Sequence, residues 1–139
     1  MPTGDDPVGR AVVADASAIV CLLIDPSSVG DAIGARLTGA SVIAPTHLPV
    51  EVTNVLRRRR NARLLSAREA RLAFDGLAQL SVELWPWEIM AERVWQLGDN
   101  LTSYVAAYVA LAESVGCPLV TRDARIARAP GTTCKIEVF

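Results

Sequence analysis

Short apolar, β-branched runs alternate along this chain with helical stretches, and that alternation restricts the fold more than any other feature. The segments AVVAD (11–15), SVIAP (41–45), SVELW (81–85), CPLVT (117–121) and CKIEVF (134–139) read as strands. Runs that are apolar on both sides suit strands buried on both faces, as in a parallel sheet. The stretches between them carry the chemistry of helix ends. Ser17 can cap a helix AIVCLLI that stops at Asp25-Pro26, and a second helix fits 28–37, ended by Gly39. Thr46 begins a third, with Pro49 in its first turn, running through Glu51 to position 60. Ser66 and Glu69 form a capping box ahead of Leu72, Leu77 and Leu80. Pro86 opens a helix through Ile89, Val94 and Leu97, and Thr102 or Ser103 caps the Ala-rich YVAAYVALAESVG, which Gly116 stops. DARIARA reads as a last short helix. The expected fold is therefore α/β in three layers, a central parallel sheet flanked by helices on both faces.

A chain of 139 residues, 51% hydrophobic, supports one domain, expected over residues 11–139 behind a polar tail at 1–10. Disordered, collagen-like and disulfide-stapled classes are excluded. Cys21, Cys117 and Cys134 are widely spaced and form no CxxC pair, so neither a zinc site nor a redox pair is indicated, and a cytoplasmic setting is expected. The start MPTGDDPVGR lacks signal-peptide character, and the longest apolar run, 16–24, is too short to cross a bilayer, so no membrane partner is expected. The net charge of −1 conceals an uneven distribution. Residues 57–71 hold seven Arg and one Glu, which leaves the remainder of the chain strongly acidic.

Parallel sheets bind ligands beyond the carboxyl ends of their strands, where the strand order reverses. Asp15 closes the first run and Asp123 follows the fourth, while Glu51 stands among Val50, Val52 and Val55 early in the helix after the second. Spacing alone leaves two readings open. These acids are either three unrelated capping or solvated carboxylates, or a site.

The stretches VVADASAIVCLL, APTHLPVEVTNVLRRR and LTSYVAAYVALAESVGCPLVTRDARIARAPG closely resemble the PIN-domain toxins of the VapC family, over nearly the whole chain and in the same order. That resemblance implies a PIN fold and an endoribonuclease toxin of a type II toxin-antitoxin pair, cutting structured RNA such as tRNA or ribosomal RNA. It implies Mg²⁺ or Mn²⁺ held by acids, a VapB-type antitoxin whose C-terminal segment enters the active-site groove, and a homodimer. Carried over by position, the catalytic, metal-holding acids are Asp15, Glu51 and Asp123, with the hydroxyls of Ser17 and Thr121 lining the site. Carboxylates suit such a hard ion, which needs only one or two direct protein ligands and activates a bound water.

One position departs from the pattern. Where the family reads Tyr-Asp-Ala, with that Asp a principal metal ligand, this chain reads Tyr104-Val105-Ala106. Valine has no lone pair to give. Asp99 and Asn100 lie a turn and a half or more away and cannot substitute without a shifted backbone. Impaired catalysis is the expectation, and the alternative is a protein that no longer cuts but keeps antitoxin and RNA binding. A flavodoxin-like or receiver domain lacks its Gly-rich loop here.

The remaining features carry paired readings. Arg57, Arg58 and Arg60 either guide RNA phosphates or the antitoxin to the site, or form a solvated helix end suited to the helix dipole. His47, the only histidine, has no Ser or Cys partner to activate. Trp85, Trp87 and Trp95 can stack bases but fit better as a strand-to-helix corner, and Tyr104 with Tyr108 reads as packing or dimer contact.

Overall fold

The structure is a computed structural model that describes residues 9–139. Positions 1–8 of the expected tail lie outside the described residues. In chain order the elements are β1 (Ala11–Ala14), α1 (Ala16–Ile24), α2 (Ser28–Leu37), β2 (Ser41–Pro45), α3 (Leu48–Asn61), α4 (Ala67–Gln79) and β3 (Glu83–Trp85). They continue through a 3₁₀ turn (Trp87–Ile89), α5 (Ala91–Gln96), α6 (Ser103–Val115), β4 (Leu119–Thr121), α7 (Ala124–Arg128) and β5 (Ile136–Val138). The strands form one sheet in the order β3-β2-β1-β4-β5, every neighbouring pair parallel. From β1 the chain builds outward through β2 and β3 on one side, then returns to place β4 and β5 on the other. The order reverses between β1 and β4, so the carboxyl ends of those two strands define the expected ligand crevice.

Both sheet faces are covered, as the uniformly apolar strands require. Helix α1 packs with α2, α3 and α4, and α6 packs with α5 against β1 and β2. Val12, Val13, Leu119 and Val120 are fully buried in the sheet. Each such side chain contributes about 1.5–3 kcal/mol by leaving water. Helix α6 presents Ala106, Ala107, Ala110 and Ala112 to the interior, all buried. Small side chains let its backbone lie close to the sheet, and that closeness later places Tyr108 within reach of α3. Gly116 ends α6 at φ 75, a left-handed conformation that glycine adopts without strain. At the corner between α1 and α2 a Cβ on Gly30 would collide with the Asp25 carbonyl.

Three local expectations are corrected. Asp15, not Ser17, is the N-cap of α1: its side chain accepts from Ala18 N–H, and Ser17 already lies in the first turn. The helix expected from Pro86 is instead a 3₁₀ turn followed by α5, joined at Met90, whose backbone stays right-handed helical (φ −105, ψ −18) and whose side chain is buried at 1% exposure. Leu72 faces solvent at 60% exposure, while Ala70 and Ala73 are the buried face of α4. The capping box of Ser66 and Glu69 forms as expected.

Candidate active site

Asp15 reaches the crevice because β1 ends one residue before it. Its N–H donates to the Val120 carbonyl on β4 (3.2 Å), so the acid is pinned between the two central strands. Its carboxylate is 6% exposed and accepts three hydrogen bonds. Oδ1 takes Ser17 Oγ (2.6 Å) and Ala18 N–H (3.0 Å), and Oδ2 takes Thr121 Oγ1 (2.5 Å). The same hydroxyls accept in turn: Ser17 Oγ from Arg122 N–H (2.9 Å) and Thr121 Oγ1 from Asp123 N–H (3.0 Å). Ser17 and Thr121 thus tie the ends of β1 and β4 into one hydrogen-bonded unit around Asp15. Burial pushes the Asp15 carboxyl above its ordinary value against the pull of these donors, and the charge of Glu51 pushes it further in the same direction.

Glu51 comes from the first turn of α3, which follows β2. Its Oε2 accepts from the Tyr108 hydroxyl of α6 at 2.9 Å. Burial, then the charge of Glu51, hold that phenol far above its ordinary value, so Tyr108 stays protonated and remains a donor. His47, four residues before Glu51, sets its Nε2 3.4 Å from the same Oε2. Its ring stands edge-on to Tyr108 (centroids 5.0 Å apart) and to Tyr104 (5.9 Å). That nitrogen is shielded from solvent and makes no hydrogen bond.

Asp123 is placed beside this unit but turned toward a cation. It caps α7, and the Arg125 guanidinium grips both of its oxygens at 2.9 Å, drawing its carboxyl below the ordinary value. Val105, half-buried on α6, lines the same groove as Glu51 and offers only methyl groups. Neither proposed neighbour replaces a carboxylate there: Asp99 is exposed on the turn before α6, and Asn100 faces the Pro130 carbonyl. The groove, about 830 Å³, is also lined by His47, Tyr104, Arg57, Arg58 and Arg125. Arg60 instead lines an adjacent groove with Arg71 and Phe74. Of the tryptophans, Trp85 is half-buried at the end of β3, whereas Trp87 and Trp95 are exposed.

Among the described residues, no three His, Cys, Asp or Glu side chains gather closely enough to hold an ion together. The donor chemistry at Asp15 and Glu51 nevertheless fits a divalent cation. No Arg or Lys bridges either carboxylate among the described residues, and an orphaned imidazole nitrogen lies against Glu51. Sequence reasoning passed over Tyr108 and His47 as site residues. Their spacing carried a signal, since His47 stands at i−4 from Glu51 and Tyr108 one turn beyond Val105.

The PIN domain family matches residues 12–131. Ribonuclease VapC12 of Mycobacterium tuberculosis is 38% identical over 127 residues, covering 91% of this chain and 98% of that protein. The crystal structure of M. tuberculosis VapC20, described as a sarcin-ricin loop cleaving toxin, superposes with a TM-score of 0.61 at 16% identity, over 88% of this chain and 96% of that one. VapBC-5 of M. tuberculosis, described as a member of the VapBC family of toxin-antitoxin systems, gives a TM-score of 0.52 at 17% identity, over 94% and 98%. Likeness at such identities speaks to the fold, and the parallel α/β architecture agrees. The match to the family and to VapC12 over nine-tenths of the length speaks to descent, and the chain belongs to the VapC family of PIN-domain proteins.

Proposed function

We infer that this protein is a metal-dependent endoribonuclease toxin whose cleavage of structured RNA is impaired by Val105. The observation that carries the reading is the pair of carboxylates without a counter-charge, Asp15 and Glu51, at the strand-order switch beside a groove lined by Arg57, Arg58 and Arg125. Two relatives carry names in keeping with it: one is called a ribonuclease, the other a toxin that cleaves the sarcin-ricin loop.

Asp15 and Glu51 would hold Mg²⁺ or Mn²⁺, with waters and a substrate phosphate completing the shell. Bound there, such an ion supplies an activated water and offsets charge on the phosphate. The chain's own residues do the rest. Ser17, Thr121 and the Ala18 N–H fix the carboxylate of Asp15, and Tyr108 fixes that of Glu51. Arg57 and Arg58 offset the repulsion that two acids exert on an approaching phosphate backbone. Asp123 would join as a third acid on release from Arg125. Val105 puts methyl groups where the family pattern that the chain resembles has an Asp, which would leave an ion less constrained and the reacting groups less well positioned.

The partner implied is a VapB-type antitoxin entering the same groove. A cytoplasmic homodimer is the matching assembly, and the exposed apolar residues Leu72, Phe74 and Leu84 suit self-association. Among the described residues no single helix is long and apolar enough to cross a membrane. Val105 and the Asp123–Arg125 pair favour a second reading, a protein that binds antitoxin and RNA without cutting. Incubation with tRNA and ribosomal RNA, with Mg²⁺ or Mn²⁺ and with a chelator, separates the two. The first reading expects slow cleavage that stops with chelator and in Asp15→Ala. Antitoxin binding with no cleavage under any ion supports the second, and cleavage that survives Asp15→Ala contradicts the metal reading.

A further inference from the structure

We propose that Tyr104, with Val50 and Val105 beside it in the groove, is a shelf on which an unpaired base of the RNA stacks, so that the protein takes nucleotides from loops and single strands rather than from stems. The proposal rests on the reading of the protein as one that acts on RNA, and adds how its groove selects a nucleotide.

Tyr104 stands in the first turn of α6 and is 66% exposed, whereas Tyr108, one turn on, is buried. The ring of Tyr104 meets His47 edge-on, with centroids 5.9 Å apart, and His47 in turn stands edge-on to Tyr108. An aromatic ring supported in this way and still largely exposed keeps a face open to a ligand. Val50, from α3, is 73% exposed, and Val105 adds methyl groups next to Tyr104 in the same groove. Apolar surface gathered in a concave groove costs hydration unless a ligand covers it.

The charges around the shelf indicate which ligand. Arg57 and Arg58 line the groove, are exposed, and pair with no acid among the described residues. A nucleotide joins a flat apolar face to an anion in one small unit, and every base has such a face to lay on an aromatic ring. The groove volume of about 830 Å³ falls within the range of small-ligand pockets, roughly 300–1,000 Å³. A double helix keeps its bases stacked on one another, so the shelf takes a base that is already unpaired. Glu51 lines the same groove, and a base held on the shelf brings an adjoining phosphate toward the acids. Trp87 and Trp95 are exposed but do not line this groove, so stacking beside the acids belongs to Tyr104. An acidic peptide without aromatic residues satisfies Arg57 and Arg58 but leaves the face of Tyr104 uncovered.

The test measures binding in chelator, where neither metal nor cleavage contributes. A short labelled single-stranded RNA, the same strand with abasic positions, an RNA duplex and a poly-glutamate peptide are titrated into the full chain. The same titrations are run on Tyr104→Ala, Tyr104→Phe and Arg57→Gln/Arg58→Gln, with melting curves to show that each variant is folded. Tyr104→Ala is expected to weaken binding of the intact single strand at least about fivefold, and Tyr104→Phe to change it less than about twofold. The abasic strand and the duplex are expected to bind the parent more weakly and to be indifferent to Tyr104→Ala. Arg57→Gln/Arg58→Gln should weaken every RNA alike and flatten the salt dependence. Single-strand affinity unchanged in Tyr104→Ala, an equal loss for the abasic strand, or poly-glutamate binding that depends on Tyr104 to the same degree overturns the shelf while the RNA reading stands. If the parent binds no RNA, in chelator or with Mn²⁺, the RNA reading falls and the shelf with it.

Discussion

Acids away from the strand-order switch and acids at it are held in opposite ways. Glu113 on α6 meets Arg93 through two hydrogen bonds (2.6 and 3.3 Å) and takes the Thr133 N–H at 2.9 Å. Burial works to raise its carboxyl, but these partners outweigh burial and hold it below the ordinary value. Glu137 on the edge strand β5 is gripped by Arg36 (2.6 and 3.0 Å) and is likewise lowered. Asp15 is buried more deeply than either and meets only hydroxyls and one N–H, and its carboxyl is raised, by burial first. The first group pairs its charge within the fold; the second has no cationic partner there, and the proposed reading assigns its charge to an ion. Asp123 stands between them, in a site position with a structural acid's partner.

Asp15→Asn should widen that contrast most. It removes the deepest carboxylate while Asn still accepts from Ala18 N–H, so metal-dependent RNA cleavage is expected to fall at least about 10²-fold, while thermal unfolding at pH 7 shifts upward. The sign follows from linkage. A carboxyl raised in the folded state contributes nothing at pH below its ordinary 3.8, then subtracts stability as the pH rises toward and past its folded value. The advantage of Asp15→Asn should therefore be absent in acid and full at neutral pH, as melting curves across that range would show. Glu113, Glu137 and Asp123 behave conversely, since lowered carboxyls lend stability above their ordinary values that is lost as pH falls through their folded ones.

Val105→Asp adds an acid to the group without counter-charges. Cleavage is expected to rise about 10- to 100-fold, and the melting temperature to drop from crowding of like charges; an unchanged rate measured against the parent would mean that Val105 is not the impairment. Glu113→Gln acts only on the structural group. It should cost about 1–3 kcal/mol in urea unfolding and leave the cleavage rate per folded molecule alone. Arg125→Ala has the smallest effect on the fold, because that pair is exposed and screened. It frees Asp123, so a modest gain in divalent-ion affinity with no measurable change in melting is expected, read by calorimetry.

Much of the frame was legible in the residues. Uniformly apolar strands announced a buried parallel sheet, the Ser66–Glu69 box and Gly116 marked helix ends, and Asp15 and the fourth strand's Thr121 reached the crevice that strand order dictates. Less visible were features that depend on packing. Tyr108 and Glu51 are 57 positions apart and meet only because an Ala-rich face brings α6 close to the sheet that α3 flanks. The stretch after Pro86 changes winding at the buried Met90, from a 3₁₀ turn to α5, which a single helical reading of 86–97 does not resolve. Arg125 folds its guanidinium back on Asp123, which already accepts the Arg125 N–H as the cap of the five-residue α7, a local geometry that residue types alone do not show.

The central claim is that Asp15 and Glu51 keep their charge free for a divalent ion, and the most direct test is the shift in melting temperature that Mn²⁺ induces without RNA. An ion that binds the folded state raises that temperature by mass action. A concentration-dependent rise in the parent, larger in Val105→Asp and absent in Asp15→Asn/Glu51→Gln, is the predicted result. An equal rise in the double variant, or none in the parent at saturating Mn²⁺, would contradict it.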